Sequence, residues 1–409
     1  MRCEESTEAF TPILIEAHQT APLSRRVLLL FATAAGLSVA NIYCAQPLLE
    51  ALALEFGFNK ASVGSVITLT QIGYASGLFF IVPLGDLLDR RRLILCQLTL
   101  SAIALSIVGF AASRSTLLIA MFFVGLFAAV VQILVAFAAS LAPPQERGRA
   151  IGTVTSGIVL GILLARTSSG ILSDLAGWRS VYLISALFTL LLACALFRVL
   201  PELEPPALDS YPNLLRSVVE LYLELPVLRA RAFIALLLFA AFGTLWTSLV
   251  LPLSEPPHLL SRTTIGLFGL AGAAGAVAAG RAGRLADQGF GQWTTGISLG
   301  LLLVSWIFIA CLHRQFVMLG IGIILLDFAV QAVHVTNQSM IFALRPEAKS
   351  RLVATYMIFY SLGSGLGAYV STWVYAAFHW KGVCVLGAGF SAAALGVWAF
   401  TLTRRREEA

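Results

Sequence analysis

Charge is what this sequence lacks. Of 409 residues only 12% are Asp, Glu, Lys or Arg, whereas 58% are hydrophobic. A soluble domain carries roughly 25% charged residues, so a water-facing surface cannot be built over a chain of this length. Lysine is almost missing. Lys60, Lys349 and Lys381 are the only three, and none follows a glycine. A Gly-x4-Gly-Lys-Ser/Thr phosphate loop is thereby excluded, and with it a nucleotide-driven pump in a single chain. The six cysteines, Cys3, Cys44, Cys96, Cys194, Cys311 and Cys384, show no CxxC or paired spacing. Neither a disulfide framework nor a zinc site is supported, and no cofactor is expected. A secretory signal is lacking too. The first two dozen residues hold Glu4, Glu5, Glu8 and Glu16 and are broken by Pro12 and Pro22, whereas a signal needs a basic start and an apolar stretch.

What fills the chain instead is long apolar runs, with a mean hydropathy of +0.88. A bilayer span needs about 20 such residues, and lipid asks only that backbone polar groups be satisfied inside the helix. Twelve segments qualify, at about 27–49, 62–83, 93–113, 116–140, 150–172, 181–200, 232–253, 264–283, 293–312, 316–342, 351–376 and 382–403. The expectation is an all-α integral membrane protein of twelve transmembrane helices in two pseudo-symmetric six-helix bundles. An N-terminal tail occupies 1–24, the first bundle 25–200, a linker 201–231, the second bundle 232–403 and a C-terminal tail 404–409. Within the linker, Leu214 to Leu225 mixes Leu, Val and Tyr with Arg216, Glu220 and Glu224, which suits a helix lying on the membrane surface.

The net charge of +6 could suggest nucleic acid, but the basic residues sit in short gaps between apolar runs. They read as topology signals. Counting alternate gaps gives 20 Lys and Arg on the side of the termini and linker, 6 on the other side, and Arg166 inside a span. That bias predicts a cell-membrane protein with both termini and the linker in the cytoplasm.

The halves repeat. Pro144 to Arg149 follows the fourth span, and Pro346 to Arg351 follows the tenth at an offset of 202. Gly85-x-Leu87-x-Asp89 after the second span recurs as Gly283-x-Leu285-x-Asp287 after the eighth, at an offset of 198. Weak internal symmetry marks carriers that rock one half against the other around a midplane site. The loop Gly85 to Arg92 also places Asp89 at the start of span three, where the helix dipole favours an anion, followed by Arg90, Arg91 and Arg92. This loop resembles the signature loop of the major facilitator superfamily, Gly-x-x-x-Asp-Arg-x-Gly-Arg. Gly85, Asp89 and Arg90 match it, Arg92 stands where glycine is usual, and the second copy keeps Asp287 but has Gln288 for the basic residue. The resemblance covers essentially the whole chain and implies a cytoplasmic gate at Gly85, Asp89, Arg90 and Asp287. Span five resembles the antiporter branch of the same family in spacing, with Gly152-x8-Gly161-x3-Ala165-Arg166-x2-Ser169-Gly170. Its Gly-Pro pair is replaced by Ala-Arg, which removes the expected kink. Drug–proton exchangers of that branch carry an arginine in span four, where Met121 stands here, and an acid in span one, where the polar groups are Asn41, Tyr43 and Gln46.

Span ten is the most informative. Asp327, Gln331, His334 and Gln338 fall at i, i+4, i+7 and i+11, one helical face, with Asn337 beside it. Asp327 is the only acid well inside a span, and such a charge costs at least ~2.5 kcal/mol on insertion scales. The stripe either ties helices together or lines a central cavity, which is where the superfamily places its tenth helix. Gln132 is the counterpart of His334 in span four, at the same offset of 202. Arg166 and Asp327 lie about 24 Å and 22 Å from the same side of the membrane, at ~1.5 Å per residue. They are expected to interact across the halves in at least one conformation, with Asp327 as the proton-linked group and His334 assisting.

The resulting expectation is a secondary active transporter that couples protons to efflux of a small organic molecule and works as a monomer. Proton-coupled uptake of a metabolite or sugar is the rival. A membrane-embedded sensor, receptor or enzyme is the alternative of a different class. Gly296-Ile297-Ser298-Leu299-Gly300 matches a nucleophile pattern, but it lies in an apolar span rather than at a strand-to-helix turn.

Overall fold

The computed structural model of the protein describes residues 25–143, 146–201, 210–312, 315–345 and 349–407. The expected tail 1–24, Pro144 and Pro346 of the repeated motif and the side chain of Asp287 lie outside the described residues. The described chain is helical. Ten helices match single crossings in length: α1 (Arg25–Phe56), α2 (Ser65–Asp86), α3 (Arg90–Gly109), α4 (Arg114–Leu141), α5 (Arg147–Ala176), α6 (Trp178–Val199) and, in the second half, α8 (Pro226–Ser254), α9 (Arg262–Leu285), α10 (Gln288–Ile309) and α11 (Phe316–Phe342). Between the halves lies α7 (Tyr211–Glu224).

The last helical run, α12 (Lys349–Glu407), is too long for one crossing, since at ~1.5 Å per residue it would overreach a ~30 Å hydrocarbon core more than twofold. His379, at φ 53°, interrupts it. Beyond that residue the chain turns back along α10. The Trp380 indole donates to the Ile309 carbonyl at one end (3.1 Å), and the Trp398 indole donates to Gln292 Oε1 at the other (3.2 Å). Eleven apolar helical runs therefore make twelve crossings, six in each half.

Backbones approach closely where side chains are missing. A Cβ added to Gly73 in α2 would fall on the Phe122 carbonyl of α4, and one added to Gly125 on the Thr70 carbonyl of α2. Lipid tails drive no helix association by themselves, so close van der Waals contact of this kind holds a bundle together. α8 is the most deeply buried of the crossings.

The two ends of the bundle differ. At the end away from α7, contacts between the halves are dense. Lys60 pairs with Glu255 at 2.6 Å. Asp174, at the end of α5, accepts from the Thr263 backbone N–H (2.8 Å) and hydroxyl (2.7 Å) at the start of α9, and Arg262 lies 3.6 Å from it. The Thr68 hydroxyl donates to the Gly365 carbonyl (3.0 Å), and the Ser361 hydroxyl donates to Gln71 Oε1 (2.8 Å). At the α7 end the halves separate around a cavity of about 410 Å³. α7 itself buries Leu214, Val218 and Leu221 at i, i+4 and i+7. It touches both halves through Tyr211 to the Phe80 carbonyl (2.8 Å) and Thr355 to the Val218 carbonyl (3.4 Å). It is a strap on the protein rather than a helix lying only on lipid.

The glycine contacts predict a contrast in stability. Gly125→Val should cost about 3 kcal/mol or more, because backbone cannot yield as a side-chain tip can. Gly320→Ala, with nothing within 4 Å of its added Cβ, should stay within about 0.5 kcal/mol. Thermal unfolding in lipid nanodiscs reads both, and equal melting of the two variants would discard the packing argument.

Candidate functional site

α5 runs from Arg147 to Ala176 without a break, so its Ala165-Arg166 pair sits on a regular helix and points Arg166 into the seam between the halves. Arg166 is 2% exposed. Its Nε–H donates to Gln46 Oε1 at 2.6 Å. Its guanidinium carbon lies 3.8 Å from the ring centroid of Trp246, with Tyr43 at 5.3 Å and Phe242 at 5.5 Å. Ring faces attract a cation, by about 2 kcal/mol when water is excluded. Two of these three rings belong to the second half.

Asp327, on α11 and 4% exposed, completes the group. The Trp246 indole N–H donates to Asp327 Oδ1 at 3.2 Å. Arg166, Asp327 and Gln331 line one cavity of about 30 Å³ with Phe242, Gly269 and Gly272. Trp246 therefore joins the two charges, one face to the guanidinium and its edge to the carboxylate. No direct ion pair between Arg166 and Asp327 is present among the described residues. The cavity is large enough for a water, and Arg166 Nη2 has no hydrogen-bond partner in the protein.

The span-ten stripe divides along its length. Asp327 and Gln331 face this cavity. His334 enters an aromatic cluster, with Nδ1 3.0 Å from the Tyr356 hydroxyl and the Phe239 and Tyr360 rings at 5.3 and 5.7 Å. Tyr360 in turn meets the hydroxyl of Tyr43 across the halves. Asn337 turns into the second bundle, where its Oδ1 accepts from Arg231 Nη1 at 3.1 Å. Gln338 is half-buried further along α11.

Arg231 corrects the sequence reading. The linker expected over 201–231 would make it a topology charge, but α8 begins at Pro226 and carries Arg231 inside. It is 2% exposed and also donates to Thr295 Oγ1 at 2.9 Å. Arg166 and Asp327 are therefore not the only deeply placed charges. The signal was Pro226, because proline at the first helical position marks a start.

Gln132 lines the large cavity, and its amide donates to the Tyr74 hydroxyl at 3.4 Å. Asn41 is buried and lines neither cavity, and neither of its amide atoms has a protein partner. At the cavity rim, Asp89 caps α3 by accepting from the Arg91 backbone N–H at 3.0 Å, with Arg92 at 3.6 Å. Arg90 donates to the Gly85 carbonyl (2.8 Å) and to Asp86 (3.0 Å), a partner the sequence reading passed over. These contacts of Asp89 and Arg90 are all local to the loop. Gly85, Asp86 and Arg90 face Phe342 and Arg351 of the other half across the rim. Of Asp287 only the backbone is described, in a short π-helical turn ending at Phe290.

Comparison with known proteins places this architecture. The profile of the Major Facilitator Superfamily matches residues 31–304 and again 233–409. The uncharacterized transporter YgaY of Escherichia coli O157:H7 is 44% identical over 376 residues, covering 92% of this chain and 95% of that protein. Among solved structures, a bacterial homologue of the human lysosomal transporter Spinster, in an inward-facing and unoccupied conformation, superposes with a TM-score of 0.72 at 17% identity, covering 92% of this chain and 94% of that one. The nucleoside transporter NupG gives 0.71 at 13% identity, covering 91% and 99%. The chain belongs to the major facilitator superfamily and is a multi-pass membrane transporter of that type.

Proposed function

We propose that the protein couples the proton gradient to efflux of a small organic solute by alternating access. The observation that supports this most is the burial of Arg166 and Asp327 from opposite halves, joined through Trp246. A guanidinium keeps its charge under all conditions, whereas a carboxylate can shed its charge by taking a proton. A proton on Asp327 loosens the hold between the halves, and its departure restores that hold. The bias of basic residues, 20 to 6 by gaps and one fewer on the larger side with Arg231 inside α8, supports a cytoplasmic α7 end and cytoplasmic termini. The conformation is then inward-facing, open through the 410 Å³ cavity and closed at the Lys60–Glu255 and Asp174–Arg262 pairs. The efflux direction rests on the span-five spacing, and a single chain holds the whole path.

Flux into proteoliposomes under an imposed proton gradient tests the reading. Asp327→Asn should abolish uphill movement while leaving solute-for-solute exchange. Uphill movement that survives in the variant would move the proton site elsewhere, and transport that persists with every ion and counter-solute gradient dissipated would end the gradient-driven reading.

The rim loop supports a second expectation. Asn caps a helix as well as Asp does, so Asp89→Asn keeps the α3 cap and removes only the charge. Turnover should slow while KM stays close to that of the parent protein, because the charge, locally satisfied in this conformation, is expected to act between the halves when the α7 end closes. Unchanged turnover would take the loop out of the gate.

A further inference from the structure

α5 and α9 touch at one end and part at the other. A Cβ added to Gly170 would meet the Arg262 carbonyl, and one added to Gly266 would meet the Arg166 carbonyl. At Gly272, one turn and a half further along α9, the contact with α5 has shrunk to the tip of Leu163 at 3.4 Å. Beyond that point the helices choose other partners. Gly157 and Gly161 of α5 pack on Ala32 and Gly36 of α1, while Gly275 and Gly283 of α9 pack on Gln331 and Val335 of α11. A Cβ added to Gly148 or Gly152 of α5 or to Gly280 of α9 would meet nothing within 4 Å. The result is a wedge-shaped seam with exposed apolar lips, Leu160 and Leu164 on one side and Leu270 and Val277 on the other.

The small cavity lies at the narrow end of this wedge. Its α5 wall is Val159, Ile162 and Leu163, and its inner end is Arg166 with Asp327. Arg166 lines this cavity, and its Nη2 is buried without a hydrogen-bond partner in the protein. A buried donor on a charged group that stays unpaired costs more than an ordinary hydrogen bond contributes, so this nitrogen is a place for an acceptor. A guanidinium matches a carboxylate in shape and charge. Asp327 is drawn toward Trp246 through Oδ1 instead.

We infer that the seam between α5 and α9 is a lateral entry for a single-chain amphiphile with a carboxylate head, which binds Arg166 while its tail lies along Val159 and Leu163. The inference rests on the central site being the transport site, and it holds for either direction of movement. An organic cation would instead seek Asp327, but it would then share the cavity with the permanent charge of Arg166. The head group is thus selected by the one charge in the site that cannot be neutralised.

Equilibrium binding in lipid nanodiscs, with no gradient and with empty nanodiscs as the blank, tests this using radiolabelled decanoate. Binding to the parent protein should be saturable and should resist competition by decylammonium. Butyrate should compete at least about tenfold more weakly, since each buried methylene contributes ~0.8 kcal/mol. Arg166→Gln should weaken decanoate by about tenfold or more, and Arg166→Lys should recover part of the loss. Leu163→Trp should weaken decanoate by filling the seam, and it decides the matter together with the competition series if Arg166→Gln does not fold. Decylammonium binding better than decanoate, butyrate matching it, or undiminished decanoate binding in folded Arg166→Gln or Leu163→Trp would overturn the proposal. Because no gradient is used, a negative result here leaves proton-driven flux standing, and a failure of proton-driven flux leaves this binding measurement standing.

Discussion

A permanently charged guanidinium inside a membrane protein constrains everything around it. Arg166 cannot lower its cost by losing a proton, so the fold must surround it. It does so with Gln46 from its own half and with Trp246, Phe242 and Asp327 from the other. The surroundings of one side chain thereby depend on the relative placement of two six-helix bundles. Any movement between the halves must alter how well that charge is covered.

The rest of the structure divides into parts that hold and parts that are left free. Glycine-mediated contacts such as Gly73 and Gly125 fix helices within a half. Between the halves, firm polar contacts collect at one end, while the other end is a cavity rim whose loop contacts are satisfied locally by Asp86, the Gly85 carbonyl and the α3 cap. A loop with its charges already paired can face open water without loss. The α7 strap reaches both halves, through Phe80 and Thr355, and this bridges the α2 and α12 side. The α5 and α9 side has no such cover among the described residues.

Architecture was readable from the sequence because lipid imposes a length and a composition on every span. Twelve apolar runs, a charged gap and two repeated loops suffice for the count and the division into halves. Boundaries were less readable. The apolar run does not show that a helix starts at Pro226, and so Arg231 looked like a linker charge. Depth along a helix could be counted, which is why Arg166 and Asp327 could be paired on paper. Rotation about the axis and the identity of intervening groups could not. Trp246 looks like any other aromatic in an apolar segment until its side chain is placed between Arg166 of α5 and Asp327 of α11. Likewise the stripe Asp327, Gln331, His334 and Gln338 is one face of one helix, but that face meets different neighbours along its length, so His334 ends among tyrosines rather than beside the charges.

The Asp174 contact with Thr263 has a consequence of its own. The first turn of α9 has free N–H groups, as every helix start does. One is taken by Ser261 of the same half, but the Thr263 N–H is taken by a carboxylate from the other half. α9 thus borrows part of its N-cap from a neighbour in the other half, one that a parting of the halves at this end would remove. A cap contributes about 1 kcal/mol to helix stability, and Asp174 adds a charge at the positive end of the helix dipole. On the proposed alternating-access reading, the beginning of α9 is more tightly wound when this end is closed than when it opens, and the winding of one helical turn follows which end of the bundle is shut.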